Sequence, residues 1–533
     1  MKKEQIKLPP GWAYCCIADV VAHDGIFTDG DWVESKDQDP KGNVRLIQLA
    51  DVGDGNFLDK SARFLTKAKA HELNCTFLRK GDLLIARMPE PLGRCCIFPL
   101  DGSEENVTVV DVCAVRLGSS PVDPKYMMYL INSPKTRTDI EALKSGSTRK
   151  RISRKNLATI QMPLAPKNEQ LRIVAKIEEL FSELDKGIES LLSAREQLKV
   201  YRQAALKHAF EGKLTERWRR ENKGKLETTE QLLSRVKHER DARYQQQLNE
   251  WETAVKAWEA NGKSGKKPRK PPKYKDLPPI SENELAVLPG LPKDWTYARL
   301  AEISQIGSGM SVSKDRTLQD PIDVPYLRVA NVQRGELILD EIKTMPIERQ
   351  ALNDLALKKW DVLFNEGGDR DKLGRGWIWE GQVDPCITQN HVFRATTYLG
   401  GEIHSKFVSH WGNTFGRDYF EKGGKQTTNL ASINKTVLSM FPVPIASLEE
   451  QHKIIEKLDD IVSVLDSFEI EIERGLTKSK YLRQAILKKA FSGQLVEQDT
   501  EDESASILLE QISAEKAMQK NNNKKRTRKE EAA

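Results

Sequence analysis

The thirteen residues RQAALKHAFEGKL (202–214) return as RQAILKKAFSGQL (483–495), nine letters unchanged, at an offset of 281 positions. From Ile152/Ile433 to Leu214/Leu495 the two copies align without a gap. Matches include Leu157/Leu438, Glu169/Glu450, Gln170/Gln451, Ile173/Ile454, Lys176/Lys457, Leu184/Leu465 and Asp185/Asp466. Downstream, LLSRVKHER (232–240) echoes LLEQISAEK (508–516). Upstream the echoes weaken: LPPGWAY (8–14) with LPKDWTY (291–297), IQLADV (47–52) with LRVANV (327–332), LRKGDLLI (78–85) with LKKWDVLF (357–364), LGRCCI (92–97) with LGRGWI (373–378). The chain is one unit written twice, each with a variable front half and a constant back half.

The back halves predict long helices. Ile173, Ile177, Leu180, Leu184, Gly187, Leu191, Ala194, Leu198 and Tyr201 keep a 4,3 spacing. Ile454, Leu458, Ile461, Leu465, Phe468, Ile472, Gly475, Ser479 and Leu482 repeat it. A sustained period of about 3.5 residues is a coiled-coil seam, and two such seams in one chain can bury each other. The front halves contain short β-branched runs bounded by Gly, Asp and Pro, which predict strands: VRLIQLADV, GDLLIA, VTVVDVCAVRL, DVPYLRVANV and KWDVLFN. PKYMMYLINSPKTRTDIEAL (124–143) has the spacing of an amphipathic helix, and so does the stretch carrying Leu232, Leu233, Val236, Leu248, Trp251, Val255 and Trp258.

With 533 residues the chain exceeds a single core. No apolar run reaches the roughly 18 residues of a membrane span, and MKKEQIKLPPGW lacks an apolar signal core, so a cytoplasmic protein is expected. Seven cysteines (Cys15, Cys16, Cys75, Cys95, Cys96, Cys113, Cys386) are too unevenly placed for a disulfide framework, and adjacent Cys-Cys pairs lack the usual zinc spacing. The net charge of +6 is concentrated in KSGKKPRKPPKYK (263–275) and KNNNKKRTRK (520–529), blocks able to neutralise phosphates or to serve as solvated linker and tail. No phosphate-binding G-x-x-x-x-G-K-[ST] loop, no amino-methyltransferase N-P-P-Y-like tetrapeptide and no clustered histidines occur. No catalytic residue and no metal ligand is predicted.

Two LP-x-x-W openings, each heading a variable globule, lead to P…EQ…I…I and then to RQA-x-L-x-x-AF-x-G-x-L. This pattern resembles the specificity subunit of Type I restriction–modification enzymes. Leu8, Pro9, Trp12, Pro163, Glu169, Gln170 and 202–214 carry it, with Leu291, Pro292, Trp295, Pro444, Glu450, Gln451 and 483–495. The segment 215–290 and the Cys-rich first globule depart from it. The resemblance implies an α+β fold with two tandem α/β target recognition domains. Long helices packing as an antiparallel coiled coil would separate them, related by a pseudo-two-fold. The expected boundaries are recognition domains at 1–164 and 290–444, spacer helical regions at 165–262 (with an extra helix) and 445–520, a basic Pro/Lys-rich linker at 263–289 and a basic tail at 521–533. It also implies binding of a bipartite, asymmetric double-stranded DNA target, one half-site per domain. Two modification (methyltransferase) subunits and restriction (ATP-dependent motor/nuclease) subunits would be the partners. They would hold S-adenosylmethionine, ATP and Mg; the chain itself would be non-catalytic and cofactor-free.

Within the globules, basic residues on loops beside strand ends are the expected DNA contacts: Arg87, Arg94, Arg149, Lys150, Arg151 and Lys155 in the first, and Arg370, Lys372, Arg375, Lys425, Gln426 and Asn429 in the second. Arginine suits guanine, and Gln or Asn suits adenine. The doubled motif is expected to meet the same partner surface twice, through Arg202, Gln203, Leu206 and Phe210 and through Arg483, Gln484, Leu487 and Phe491. From Ile173 to Tyr201 is 28 residues, or about 42 Å of helix, against about 34–36 Å for one DNA turn. A gap of several unread base pairs is therefore expected. The alternatives are a coiled-coil protein-interaction scaffold and a specificity subunit for another defence methyltransferase.

Overall fold

The computed structural model describes residues 7–89, 91–101, 105–146, 150–265, 267–313, 317–368, 372–426 and 431–530. The chain divides into two compact units: Met1–Ser193 with Ile472–Ala533, and Ala194–Glu471.

The globule of the first unit is built on a four-stranded antiparallel sheet in the order Ile26–Asp29, Val112–Arg116, Leu83–Ala86, Cys95–Ile97. Beside it Val44–Ile47 pairs antiparallel with Phe64–Leu65 and parallel with Glu105–Thr108. The second unit repeats the plan. Val392–Thr397 lies between Ser304–Ser308 and Val362–Asn365, and Pro321–Leu327 lies between antiparallel Lys343–Glu348 and parallel Ile387–Thr388. The run VTVVDVCAVRL is thus two strands of different sheets with a turn at 109–111. The stretch 124–143 is two helices, Pro124–Ile131 and Pro134–Ala142, because a proline disfavours helix at the residue before it. Burial pushes the Cys75 thiol up to about 11 and those of Cys96 and Cys113 to about 12, so these are inert core side chains.

Two long helices, Lys167–Phe210 and Leu448–Ala490, each contribute to both units. In the first unit Asp185 meets Arg483 and Leu191 lies against Gly475; residue numbers rise on one helix as they fall on the other, so the pairing is antiparallel. In the second unit Arg202 meets Asp466. These are the same two positions of the repeat with roles exchanged. The predicted seam holds where the helices meet the globules: Ile173, Ile177, Ile454 and Leu458 are buried. It fails at Tyr201, Phe468 and Leu482, which are exposed.

The remaining long helices, Thr229–Ala260 and Ala505–Glu530, explain the echo 232–240/508–516. Leu232 and Val236 join the core of the second unit, and Leu508 and Ile512 that of the first. Part of the segment 215–290 that departs from the family pattern is therefore itself a repeated element. A Thr228 capping box starts the first of these helices: its hydroxyl accepts from the Gln231 amide while the Gln231 side chain accepts from the Thr228 amide.

Candidate nucleic-acid interface

Each unit is closed by side chains that the repeat keeps. Trp12 donates its indole N–H to Glu169 at 2.9 Å, and Trp295 donates to Glu450 at 2.9 Å. Gln170 donates to Ala165 O and accepts from Asp123 N; Gln451 donates to Ala446 O and bonds His404 Nδ1. The glycine of the doubled motif ends each long helix in a left-handed conformation, Gly212 at φ 67° and Gly493 at φ 70°. A Cβ there would stand 2.4 Å from Pro292 Cγ or from Pro9 Cγ. The helical end of one copy thus seats on the LP-x-x-W opening of the other.

Most of the expected partner-binding residues are engaged within their own unit. Phe210 is buried, packed edge-on against Phe407, Trp411 and Phe415, and Leu206 packs on the same core. Leu487 is buried and Phe491 lies 5.3 Å from the Tyr126 ring. Arg202 pairs with Asp466; Arg483 pairs with Asp185 and lies over Phe181. Of the eight expected residues only Gln203 and Gln484 are exposed. Two adjacent residues in each copy, Val200–Tyr201 and Tyr481–Leu482, are exposed apolar side chains. The 4,3 spacing predicts Tyr201 and Leu482 in the seam, whereas the structure leaves both exposed.

The expected DNA contacts separate in the same way. Arg87 is buried: its Nε donates to Ile152 O at 3.0 Å, and its Nη1 to Val110 O and the Asp29 carboxylate. Arg94 is buried with donors on Val52 O, Pro91 O and Leu49 O, and burial lowers its pKa. Both arginines are held mainly by groups distant in sequence. Lys150, Arg151 and Lys155 are exposed, at and after the antiparallel Ser145–Arg151 bridge. Lys372 and Arg375 are half-buried on a turn that returns to Asn365, with Gly374 at φ 64° where a Cβ would meet the Phe420 ring at 2.0 Å. Lys425–Gln426 forms a strand paired with Ala431–Ser432, which also pairs with Gly367–Gly368, so two expected loops share one small sheet. Arg149, Arg370 and Asn429 lie outside the described residues.

One edge recurs in both globules. In the first, Asp31 bridges Val109; the turn 109–111 bonds Arg87, and Arg87 O accepts from Ile152 N, next to the bridged Arg151. In the second, Met310 bridges Gln389; the turn 389–391 bonds Glu366, and Glu366 O accepts from Ile433 N. The side chains on this shared frame differ. The first edge borders a groove lined by Trp32, Gln38, Gln48 and Arg63, with Trp32 68% exposed. The second presents Val312, Gln389 and His391, whose Nδ1 is 2.8 Å from Glu366 Oε2. Burial raises the Asp31 carboxyl to about 6. None of these residues lies in a basic run, so composition did not signal them.

A profile described as the Type I restriction modification DNA specificity domain matches residues 292–478. The EcoDI specificity subunit of Escherichia coli is 24% identical over 389 residues, covering 70% of this chain and 72% of that one. The EcoAI specificity subunit of Escherichia coli is 21% identical over 511 residues, covering 92% and 84%. Residues 292–478 thus match the Type I specificity domain, and most of the chain is similar to Type I specificity subunits. A solved chain from a study of complex assembly and conformational transition of the type I R-M system superposes with a TM-score of 0.60. It is 18% identical and covers 92% of this chain and 100% of that one, which shows the shared fold. The motifs that carry the resemblance are the contacts that close each unit. Among the described residues no helix is long and apolar enough to cross a membrane.

Proposed function

We infer that this chain is a Type I specificity subunit and reads a bipartite double-stranded DNA target, one half-site per globule. The observation that carries this is the repeated edge: one backbone frame, presented twice, with different side chains. Trp32, Gln48 and Arg63 lie at the first reader and Gln389 and His391 at the second; Lys150, Arg151 and Lys155 supply phosphate contacts beside the first. Methylation and cleavage fall to modification and restriction subunits that carry S-adenosylmethionine, ATP and Mg in the cytoplasm. Two modification subunits dock through the same position of each copy, Val200, Tyr201 and Gln203 in one and Tyr481, Leu482 and Gln484 in the other.

Co-expression with a cognate modification subunit and mapping of the methylated bases tests the reading. Replacing Gln48 and Arg63 by Ala is expected to relax the first half-site by about 1–3 kcal/mol per lost base contact and to leave the second half-site and the gap unaltered. Equal loss at both half-sites, or none at either, overturns it. Tyr201→Glu with Tyr481→Glu is expected to lower capture of the modification subunit at least tenfold while the melting temperature stays within a few degrees. Unchanged capture would move the docking face elsewhere.

A further inference from the structure

The block 263–275 joins the helix Thr229–Ala260 to the second globule, yet it is not a slack connection. It turns back along that helix and is fastened at several points. Trp258 Nε1 donates to Gly265 O at 3.2 Å and Trp251 Nε1 to Pro268 O at 3.1 Å. Arg240 lies 3.8 Å over the Tyr274 ring, Lys270 5.5 Å over Trp251 and Lys267 5.9 Å over Trp258. Beyond the block, the buried Arg299 donates to Pro278 O and Pro279 O. Pro268, Pro271 and Pro272 fix φ and remove amide donors, which keeps the strap extended.

Lys263, Lys267, Arg269, Lys270, Lys273 and Lys275 are all exposed, and among the described residues none has a carboxylate partner. The block contains no acid. Holding a row of uncompensated cations in place costs repulsion that a polyanion would relieve. An extended chain rises about 3.1 Å per residue, so cations two or three residues apart recur every ~6–9 Å. That is about every second phosphate along one strand, at ~3.4 Å axial rise each. The sequence of the equivalent helix in the other copy also ends in a basic block, 520–529.

We propose that this tryptophan-fastened strap is a second, sequence-independent DNA contact that grips the phosphate backbone outside the two half-site readers. It rests on the DNA-reading function above. The test uses the subunit assembled with its modification subunits, on a duplex carrying the methylated site and on an unrelated duplex, over about 50–200 mM salt. Replacing Lys267, Arg269, Lys270 and Lys273 by Gln is expected to weaken both duplexes by the same factor, on the order of tenfold to a hundredfold. The log–log salt slope should fall by about 2–4, with the methylated sequence unaltered. Trp251→Ala, which frees the strap and keeps its charge, is expected to give a smaller loss with the slope largely retained. A wild-type slope that survives the four substitutions overturns the strap alone, and so does a loss confined to the specific duplex. Failure of the variant to assemble with the modification subunits would assign the strap to a protein partner and overturn it as well. Wild-type complex with no salt-sensitive duplex binding would overturn the DNA-reading function, and the strap with it.

Discussion

Phe210→Ala is expected to lower the unfolding free energy by about 3–5 kcal/mol, the usual cost of removing a fully buried aromatic ring. Phe210 has no exposed surface and touches three rings of the second unit, Phe407, Trp411 and Phe415. Denaturant unfolding followed by tryptophan fluorescence checks it, since Trp411 stands 5.4 Å from the deleted ring. Gln203→Ala, seven residues earlier in the same motif and exposed, should change stability by no more than about 0.5 kcal/mol. Phe491→Ala should cost less than Phe210→Ala, because Phe491 is only half-buried. Equal, small effects at Phe210 and Gln203 would restore the motif as a docking face.

The second large effect separates two carboxylates at one position of the repeat. Glu450 accepts from Thr215 Oγ1 at 2.7 Å, Trp295 Nε1 at 2.9 Å and Arg219 Nε at 3.0 Å. At the offset of the repeat Thr215 and Arg219 become Val496 and Thr500. Glu169 keeps its tryptophan, but its Oε1 accepts no hydrogen bond from the described residues, and burial raises its pKa above the ordinary 4.5. Glu450→Gln leaves Arg219 without its counter-charge and should cost about 3 kcal/mol. Glu169→Gln keeps an acceptor for Trp12 and removes a buried charge, so a change within about 1 kcal/mol is expected. The pH dependence follows from the sign of the shift. A carboxyl raised in the folded state binds its proton more tightly there, so its stabilisation is full below 4.5 and is lost as pH rises through the raised value. Glu169→Gln should flatten that loss; an unchanged stability–pH profile would count against the assignment.

The duplication and most strands were legible in the sequence, because both depend on local signals: letter identity at a fixed offset, and β-branched runs between turn residues. Three things were not. The doubled motif looked like an external face, since periodicity does not say whether Phe210 meets a partner or Trp411, 201 residues away. Arg87 and Arg94 looked like surface cations because the carbonyls that hold them, Ile152 and Val52, are brought near only by the fold. Trp32, Gln48 and Arg63 are isolated among unremarkable neighbours, and only the folding of separate strands gathers them round one groove.

Because the first unit consists of Met1–Ser193 and Ile472–Ala533, the order of synthesis and the order of completion are reversed. Residues 194–471 form a continuous stretch and can close as soon as they emerge. The N-terminal globule must wait for Leu487 and Phe491 to cover its core. At about 5–20 residues per second, the 278 intervening residues occupy a ribosome for tens of seconds. Through that interval Tyr126, Ile173 and Ile177 stay open to chaperones and to other nascent chains. The globule made first is finished last.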